Sequence, residues 1–506
     1  MEKITRLLVW AWVMATVWLP GYVWARVTLP PVISSHMVLQ AGMNVPIWGD
    51  AGTNEVVTVE FAGQKKQAVA DAQGKWRLCF DPLPVCCEPR TFTLTSSLNG
   101  QAIVLTNVLV GEVWLGSGQS NMQGPASHYT NRDERLSLNV EAGPYAQIRL
   151  CVPGRPWMES SPAKLRSFSA QLFSFGLELQ RKLQTPVGLL LGAHSGSPSG
   201  QWISPSVLNE DPACREEVQQ HAARLKGVAG KAPPPGKGKP EGGVELMGVH
   251  YRNKIEPFIP YAIRGVLWDQ GESGTAVPGV SQYALMGALI RGWRKAWGFD
   301  FDFLYVQKPS GGGCAWDETD PVTRGAQPLA ALPASVPAEW QYRDDYLRMM
   351  AYPRAFMVTT SDLDSGVHPA NKSGYGARGA RVALGAVYGK PREYYGPLYR
   401  SHRVEEGKIV IEFNHVGQGL MFRGGSLPGG SVMGQLQGFA IAGTDRKYMW
   451  ADATIEGETV VLSSARVPHP VAACYAWASV HPWANLFNKD GLPAMPFRTE
   501  PPRKAR

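Results

Sequence analysis

The chain predicts an α/β fold: a three-layer α/β/α domain on a parallel sheet, with a β-rich segment on either side. Three observations predict it. From Val108 to about residue 390, short apolar runs alternate with helical segments, the pattern of a parallel sheet covered by helices. On both flanks, short alternating runs are separated by Gly- and Asp-containing turns, the pattern of small β-sandwiches. At 506 residues, the chain is also too long for one ordinary domain.

Taken in order, Met1 to Ala25 reads as an export signal. Lys3 and Arg6 supply positive charge, Leu7 to Trp18 an apolar core, and Val23-Trp24-Ala25 a small-residue cleavage site. The apolar stretch is short against the roughly 20 residues of a membrane span. The expectation is a secreted or periplasmic protein without a membrane anchor. Residues 26–107 form the first β segment, with runs such as Val56 to Phe61 and Thr91 to Thr95. Seven cysteines are an odd number, so in an oxidising compartment at least one is unpaired. A bridge from Cys79 to Cys86 or Cys87 fits the intervening Asp81-Pro82-Leu83-Pro84 turn, and seven free thiols is the other reading.

Residues 108–390 carry the chemistry-bearing loops. Val108 to Leu115 reads as a buried strand that breaks into Gly118-Gln119-Ser120-Asn121-Met122. A small-residue turn after a buried strand lifts a hydroxyl into a cleft, which makes Ser120 the candidate nucleophile. Strand Val187 to Leu191 ends in Ala193-His194-Ser195-Gly196, where the Gly196 N–H is available to an oxyanion. Strand Gly265 to Trp268 ends in Asp269-Gln270-Gly271-Glu272-Ser273, where the Gln270 amide is a second candidate oxyanion donor. Strand Phe356 to Thr360 ends in Asp362-Leu363-Asp364-Ser365-Gly366-Val367-His368, followed by a helix from about Asn371. His368 is the candidate base, and Asp362 or Asp364 the carboxylate that would orient it. These loops meet at the edge where open parallel sheets place their ligands. Helical patterns cover Ala170 to Lys182 and Tyr283 to Trp297, and two irregular inserts lie near 209–245 and 310–339. Residues 391–498 return to strands, and 499–506 read as a disordered basic tail.

The blocks Gly118 to Met122, Trp268 to Ser273 and His368 to Lys372 together resemble the SGNH hydrolases, and among them the sialate O-acetylesterase family of carbohydrate esterases. The resemblance extends to Met37-Val38-Leu39-Gln40 near the start and to Asn485 through Ala494 near the end. It implies an SGNH/flavodoxin-like central domain and a serine esterase acting on O-acetylated sugar. Sialic acid is the first substrate it suggests, with acetylated plant-type polysaccharide as an alternative and a non-catalytic glycan-binding relative as another. It implies Ser120, His368 and an aspartate as the catalytic set. Ser120 N–H, Gly196 N–H and Gln270 are the implied oxyanion hole, and Asn121, Trp202 and Glu272 the residues lining the substrate. The chain departs from the family at Asp269, where relatives carry an aromatic residue, and at Gly366, where many carry an acid two residues before the histidine. That leaves the third catalytic member open between Asp362, Asp364 and a Ser-His dyad.

Other chemistries find little support. The chain has no Gly-x-Ser-x-Gly elbow, no His-Glu-x-x-His and no Walker loop, and Cys86-Cys87 lacks metal-ligand spacing. No metal and no cofactor is expected. The net charge of +8 is concentrated partly between Lys226 and Gly243, where lysines alternate with Pro and Gly and no aromatic residue is interleaved. That composition describes a solvated loop and not a nucleic-acid site.

Overall fold

In the computed structural model, residues 27–500 are described, apart from 99, 101, 229–246, 318, 324, 338–340 and 427–431. The expected export signal, residues 501–506 and most of the Lys-Pro-Gly segment lie outside the described residues.

The N-terminal strands are β1 (Val38–Gln40), β2 (Val45–Asp50), β3 (Val56–Phe61), β4 (Gln64–Val69), β5 (Lys75–Phe80) and β6 (Cys86–Ser96). In β5 every second residue, Trp76, Leu78 and Phe80, is buried while Lys75, Arg77 and Cys79 face water. Phe61, Phe80 and Phe92 converge on one another with ring centroids 5.9–6.2 Å apart, forming the centre of this segment's core.

Strand β7 (Ala102–Gly118) runs through both the β segment and the α/β region, so the expected boundary at 107/108 falls inside one continuous strand. Its first six residues alternate between exposed and half-buried and pair antiparallel with β6. Its last eleven are all buried. This change is what a strand shows when it passes from a sheet with one wet face into a parallel sheet covered on both faces.

The α/β region adds α1 (Ser120–Gln123), α2 (Glu134–Glu141), β8 (Tyr145–Cys151), β9 (Met158–Ser160), α3 (Pro162–Ser167), α4 (Ala170–Leu183) and β10 (Val187–Ala193). It continues with α5 (Pro205–Glu210), α6 (Pro212–Val228), β11 (Gly265–Asp269), α7 (Gln282–Trp297), β12 (Asp302–Val306), α8 (Gln341–Arg348), β13 (Ala355–Val358) and α9 (Lys372–Val382). The sheet order is β13-β12-β11-β7-β10-β8-β9, parallel except for the edge strand β9.

Leu267 and Trp268 are neighbours on β11 and so point to opposite faces. Gly379 of α9 lies against Leu267 and Phe175 of α4, while Trp268 meets Trp293 of α7 at 5.8 Å between centroids. Thus α4 and α9 cover one face and α7 the other. Gly376 of α9 lets α4 approach closely, since a Cβ there would stand 2.5 Å from Ser174 Cβ. The helices begin at side-chain caps: Ser169 accepts from Leu172 N, Ser281 from Ala284 N and Asn371 from Gly374 N.

The insert expected to be irregular from residue 209 is helical as far as Val228. Asp211 Oδ1 accepts from the N–H groups of Ala213 and Cys214, and Pro212 follows it at a position where a missing N–H costs nothing. Among its described residues, the second insert holds isolated bridges, Gly313 with His481 and Cys314 with Gln327, before α8. None of the seven cysteines is joined to another in a disulfide among the described residues.

Beyond Leu398 the chain forms antiparallel sheets around a separate apolar cluster. One joins Leu398–Glu405, Lys408–Asn414, Thr459–Ser463 and Asp452–Glu456. Another joins Tyr448–Trp450, Phe439–Ala442, Ala472–Tyr475 and Phe497–Arg498. Thr499, expected in the disordered tail, donates its N–H to Ala473 O at 2.9 Å.

Gly118 closes β7 at φ +122°, and a Cβ there would stand 2.2 Å from Asp269 O. Gly118→Ala is therefore expected to lose at least about 2 kcal/mol of stability in urea unfolding, since left-handed strain alone costs about 1–3 kcal/mol.

Candidate active site

The register of three adjacent strands sets the site. Gly118 of β7 lies opposite Ala193 of β10 on one side and Asp269 of β11 on the other. The loops carrying Ser120, Gly196 and Gln270 therefore leave the sheet at one level. Backbone bonds continue this alignment past the strands: Gln119 N donates to Asp269 O at 2.9 Å and His194 N to Gly118 O at 3.0 Å.

Ser120 is the first residue of α1, and its Oγ lies 2.8 Å from His368 Nε2. That is the distance across which a base takes a hydroxyl proton. Gly196 is exposed at φ +70° on the loop after β10. Gln123, one turn along from Ser120, holds this loop through its Oε1, which accepts from both Ser195 N at 2.7 Å and Ser195 Oγ at 2.6 Å.

Two expected carboxylates are engaged elsewhere. Asp362 is fully buried and faces Arg378 of α9, with Nη1 to Oδ1 at 2.9 Å and Nη2 to Oδ2 at 2.7 Å. A buried carboxylate in a dry interior needs a counter-charge, and the paired guanidinium supplies it. Asp364 accepts from Ser365 N through Oδ1 and from Ala370 N through Oδ2, shaping the loop that carries His368. Among the described residues, the imidazole's hydrogen bond is to Ser120 alone.

Gln270 also differs from expectation. It is fully buried; its Nε2 donates to Gly274 O at 3.0 Å and Ser197 O at 3.4 Å, and its Oε1 accepts from Gln282 Nε2 at 3.1 Å. An amide without water must satisfy its own donors and acceptor, and this one does so by tying loop backbone together. Trp202, expected to line the substrate, is buried with its ring 5.8 Å from Trp268 and 5.0 Å from His250. It is a core residue behind the site.

Asn121 and Glu272 belong to a polar chain that runs from the buried Asn121 to the partly exposed Glu272. Asn121 Nδ2 donates to Glu272 Oε1 at 2.9 Å and to Val367 O at 3.0 Å. Its Oδ1 accepts from Lys372 Nζ at 2.6 Å. Glu272 Oε1 also takes Lys308 Nζ at 2.5 Å, and the same ammonium lies 2.6 Å from Asp269 Oδ1. Burial depresses the pKa of Lys308, but Asp269 and Glu272 outweigh it and hold it above the usual lysine value. Lys372, buried and bonded to Asn121 with no carboxylate in direct contact among the described residues, is pushed down to about 8 by desolvation. Gln123 and Lys308 were not singled out by sequence reasoning. A charged residue at the buried end of β11, Asp269, was the signal that a buried cation had to exist.

A cavity of about 550 Å³ adjoins this chain, bounded among others by Glu272, Lys308, Gly366, Val367, Ser479 and Val480. The segment beyond residue 398 thus forms part of its wall. It also braces the histidine loop, since His481 N donates to Gly312 O and Gly313 N to Ser361 O, both at 2.6 Å. The His194 and His250 rings meet at 4.2 Å between centroids, tilted by 33°, beside the Gly196 loop, and burial pushes the His250 pKa down to about 4.

These contacts set two expected outcomes. Asp362→Asn should cost stability, about 3–5 kcal/mol in urea unfolding, because it leaves the Arg378 guanidinium buried without a counter-charge. An orienting aspartate would instead lower kcat about 10⁴-fold in a native-stable protein. Gln270→Ala should lower kcat less than about tenfold in steady-state assays, whereas removing an oxyanion donor costs about 10²–10³.

No family model matches the chain. Sialate O-acetylesterase of Rattus norvegicus is 26% identical over 307 residues, covering 52% of this chain and 55% of that protein. The Homo sapiens protein of the same name is 27% identical over 294 residues, covering 52% of each. The chain thus matches about half the length of these curated relatives. A carbohydrate acetylesterase from Xanthomonas citri, known by its crystal structure, has 27% identity and a TM-score of 0.72, covering 94% of this chain and all of that one. The chain is therefore similar in sequence to the sialate O-acetylesterases and in fold to a carbohydrate acetylesterase.

Proposed function

We propose that this protein is a serine esterase that removes O-acetyl groups from carbohydrate, with O-acetylated sialic acid as its substrate. The observation that carries the reading is the 2.8 Å approach of Ser120 Oγ to His368 Nε2 at the C-terminal edge of the sheet.

In the first half-reaction, Ser120 Oγ bonds to the acetyl carbonyl carbon while His368 Nε2 takes the hydroxyl proton. The carbonyl oxygen becomes an oxyanion that the N–H groups of Ser120 and Gly196 stabilise. Collapse of the intermediate breaks the bond to the sugar oxygen, which leaves with the proton from His368. Water then attacks the acetyl-serine carbonyl, giving its proton to His368, and the returning serine oxygen recovers it as acetate departs. The imidazole works here as the partner in a dyad, held by the backbone of its loop instead of a carboxylate. The names of the sequence relatives support the choice of sialic acid. Export from the cytosol is part of the same reading, resting on Lys3, Arg6 and the apolar Leu7 to Trp18.

Ser120→Ala should reduce hydrolysis of 4-nitrophenyl acetate to the uncatalysed rate with an unchanged melting temperature. Substantial residual activity would remove Ser120 as nucleophile. Acetate release measured side by side from O-acetylated sialic acid and acetylated xylan should favour the first in kcat/KM. The opposite order would reassign the substrate to plant-type polysaccharide.

A further inference from the structure

We propose that Lys308 is a positioning residue for the Ser120–His368 pair, acting through Glu272 and Asn121. The proposal rests on the reading of Ser120 and His368 as the catalytic pair. Among the described residues no carboxylate bonds to His368, so its ring has to be held by the placement of its loop. One contact reaches that loop from the nucleophile's own helix: Asn121 Nδ2 donates to Val367 O, the carbonyl immediately before His368. Asn121 follows Ser120 in α1, so this amide links the nucleophile's backbone directly to the base's backbone.

The Asn121 amide is aimed by its other two contacts. Lys372 Nζ, at the start of α9, fixes Oδ1, and Glu272 Oε1 accepts the second bond from Nδ2. Glu272 Oε1 is fixed in turn by Lys308 Nζ, which also donates to Ser310 Oγ at 2.9 Å and pairs with the fully buried Asp269. The cluster holds two carboxylates, Asp269 and Glu272, and two ammonium groups, Lys308 and Lys372, so with all four ionised it is neutral. Without Lys308, the buried Asp269 and the partly exposed Glu272 lose their shared cation, and among the described residues Lys372 is the remaining ammonium of the cluster. Glu272, the more accessible of the two with 21% of its side chain exposed, is the one that turns away towards the adjoining cavity. Asn121 then loses an acceptor, and the serine and histidine lose their common anchor. Lys308 touches neither reacting atom, so the consequence falls on geometry; a displacement of about 1 Å in such a pair costs about 10²-fold in rate.

The test compares Lys308→Met, Asp269→Asn and the double variant by steady-state kinetics on 4-nitrophenyl acetate, with Ser120→Ala as control. Lys308→Met is expected to lower kcat by about 10–100-fold with KM changed less than about twofold. Asp269→Asn, which leaves Lys308 on Glu272, should stay within about threefold of the native rate. The double variant, which restores charge balance, should recover at least about tenfold of the loss. Native kcat in Lys308→Met, a loss confined to KM, or a double variant no better than Lys308→Met would each overturn the proposal while Ser120→Ala is inactive. An active Ser120→Ala would instead overturn the underlying reading. Should Lys308→Met fail to fold, Glu272→Ala, at a partly open position, carries the test: the same kcat loss is expected, and a native kcat overturns the proposal.

Discussion

The site depends on one backbone constraint: the pairing of β7 with β10 and β11, which ends all three strands at the level of Gly118, Ala193 and Asp269. Parallel strands have evenly spaced bonds and side chains of fixed alternation, so a slip of one residue in either pair would carry a whole loop to the wrong face. Gly118 is where this constraint is tightest. Its missing Cβ lets the end of β7 come against Asp269 O, and the next residues turn directly into α1. The distance from Ser120 to His368 then follows from the fold on which both loops are mounted.

Electrostatics decide what the surrounding carboxylates do. Asp362 and Asp269 are both fully buried, and each is next to a cation: Arg378 for the first and Lys308 for the second. For a buried carboxylate a fixed cation compensates desolvation better than a neutral imidazole would, which is why Asp362 is drawn to α9 and away from the histidine. Asp364 is consumed by two backbone N–H groups of its own loop. The result is an imidazole held by the shape of its loop, by the Asn121 amide and by the braces from Gly312, Gly313 and His481.

Much of this was legible in the sequence where the signal is local. The alternation of apolar runs with helical segments, the helix start near Asn371, and the Gly-rich turn at Ser120 are each written within a few residues. The pairing of Ser120 with a histidine 248 positions away was legible only because several separate blocks pointed the same way. Partners fixed by tertiary packing were not legible. The Arg378 that claims Asp362 is separated from it by a loop and nearly two helical turns, and nothing in either window names the other. Gln270 looked like an oxyanion donor because its amide stands at a strand end, and Trp202 was implied as a substrate-lining residue by the resemblance. Full burial turns one into a backbone clamp and the other into part of a tryptophan layer. Helix α6 was obscured by the Lys-, Pro- and Gly-rich stretch that follows it, although Asp211-Pro212 is an ordinary helix start.

The central claim is a Ser120–His368 dyad whose oxyanion lies between two backbone N–H groups and whose imidazole has no carboxylate partner. A crystal structure of the protein inactivated with an active-site-directed phosphonate tests it most directly. The account requires phosphorus bonded to Ser120 Oγ, the phosphoryl oxygen within hydrogen-bond distance of Ser120 N and Gly196 N, and Asp362 still paired with Arg378. Label on another residue, the phosphoryl oxygen on Gln270, or a carboxylate turned onto His368 Nδ1 would contradict it.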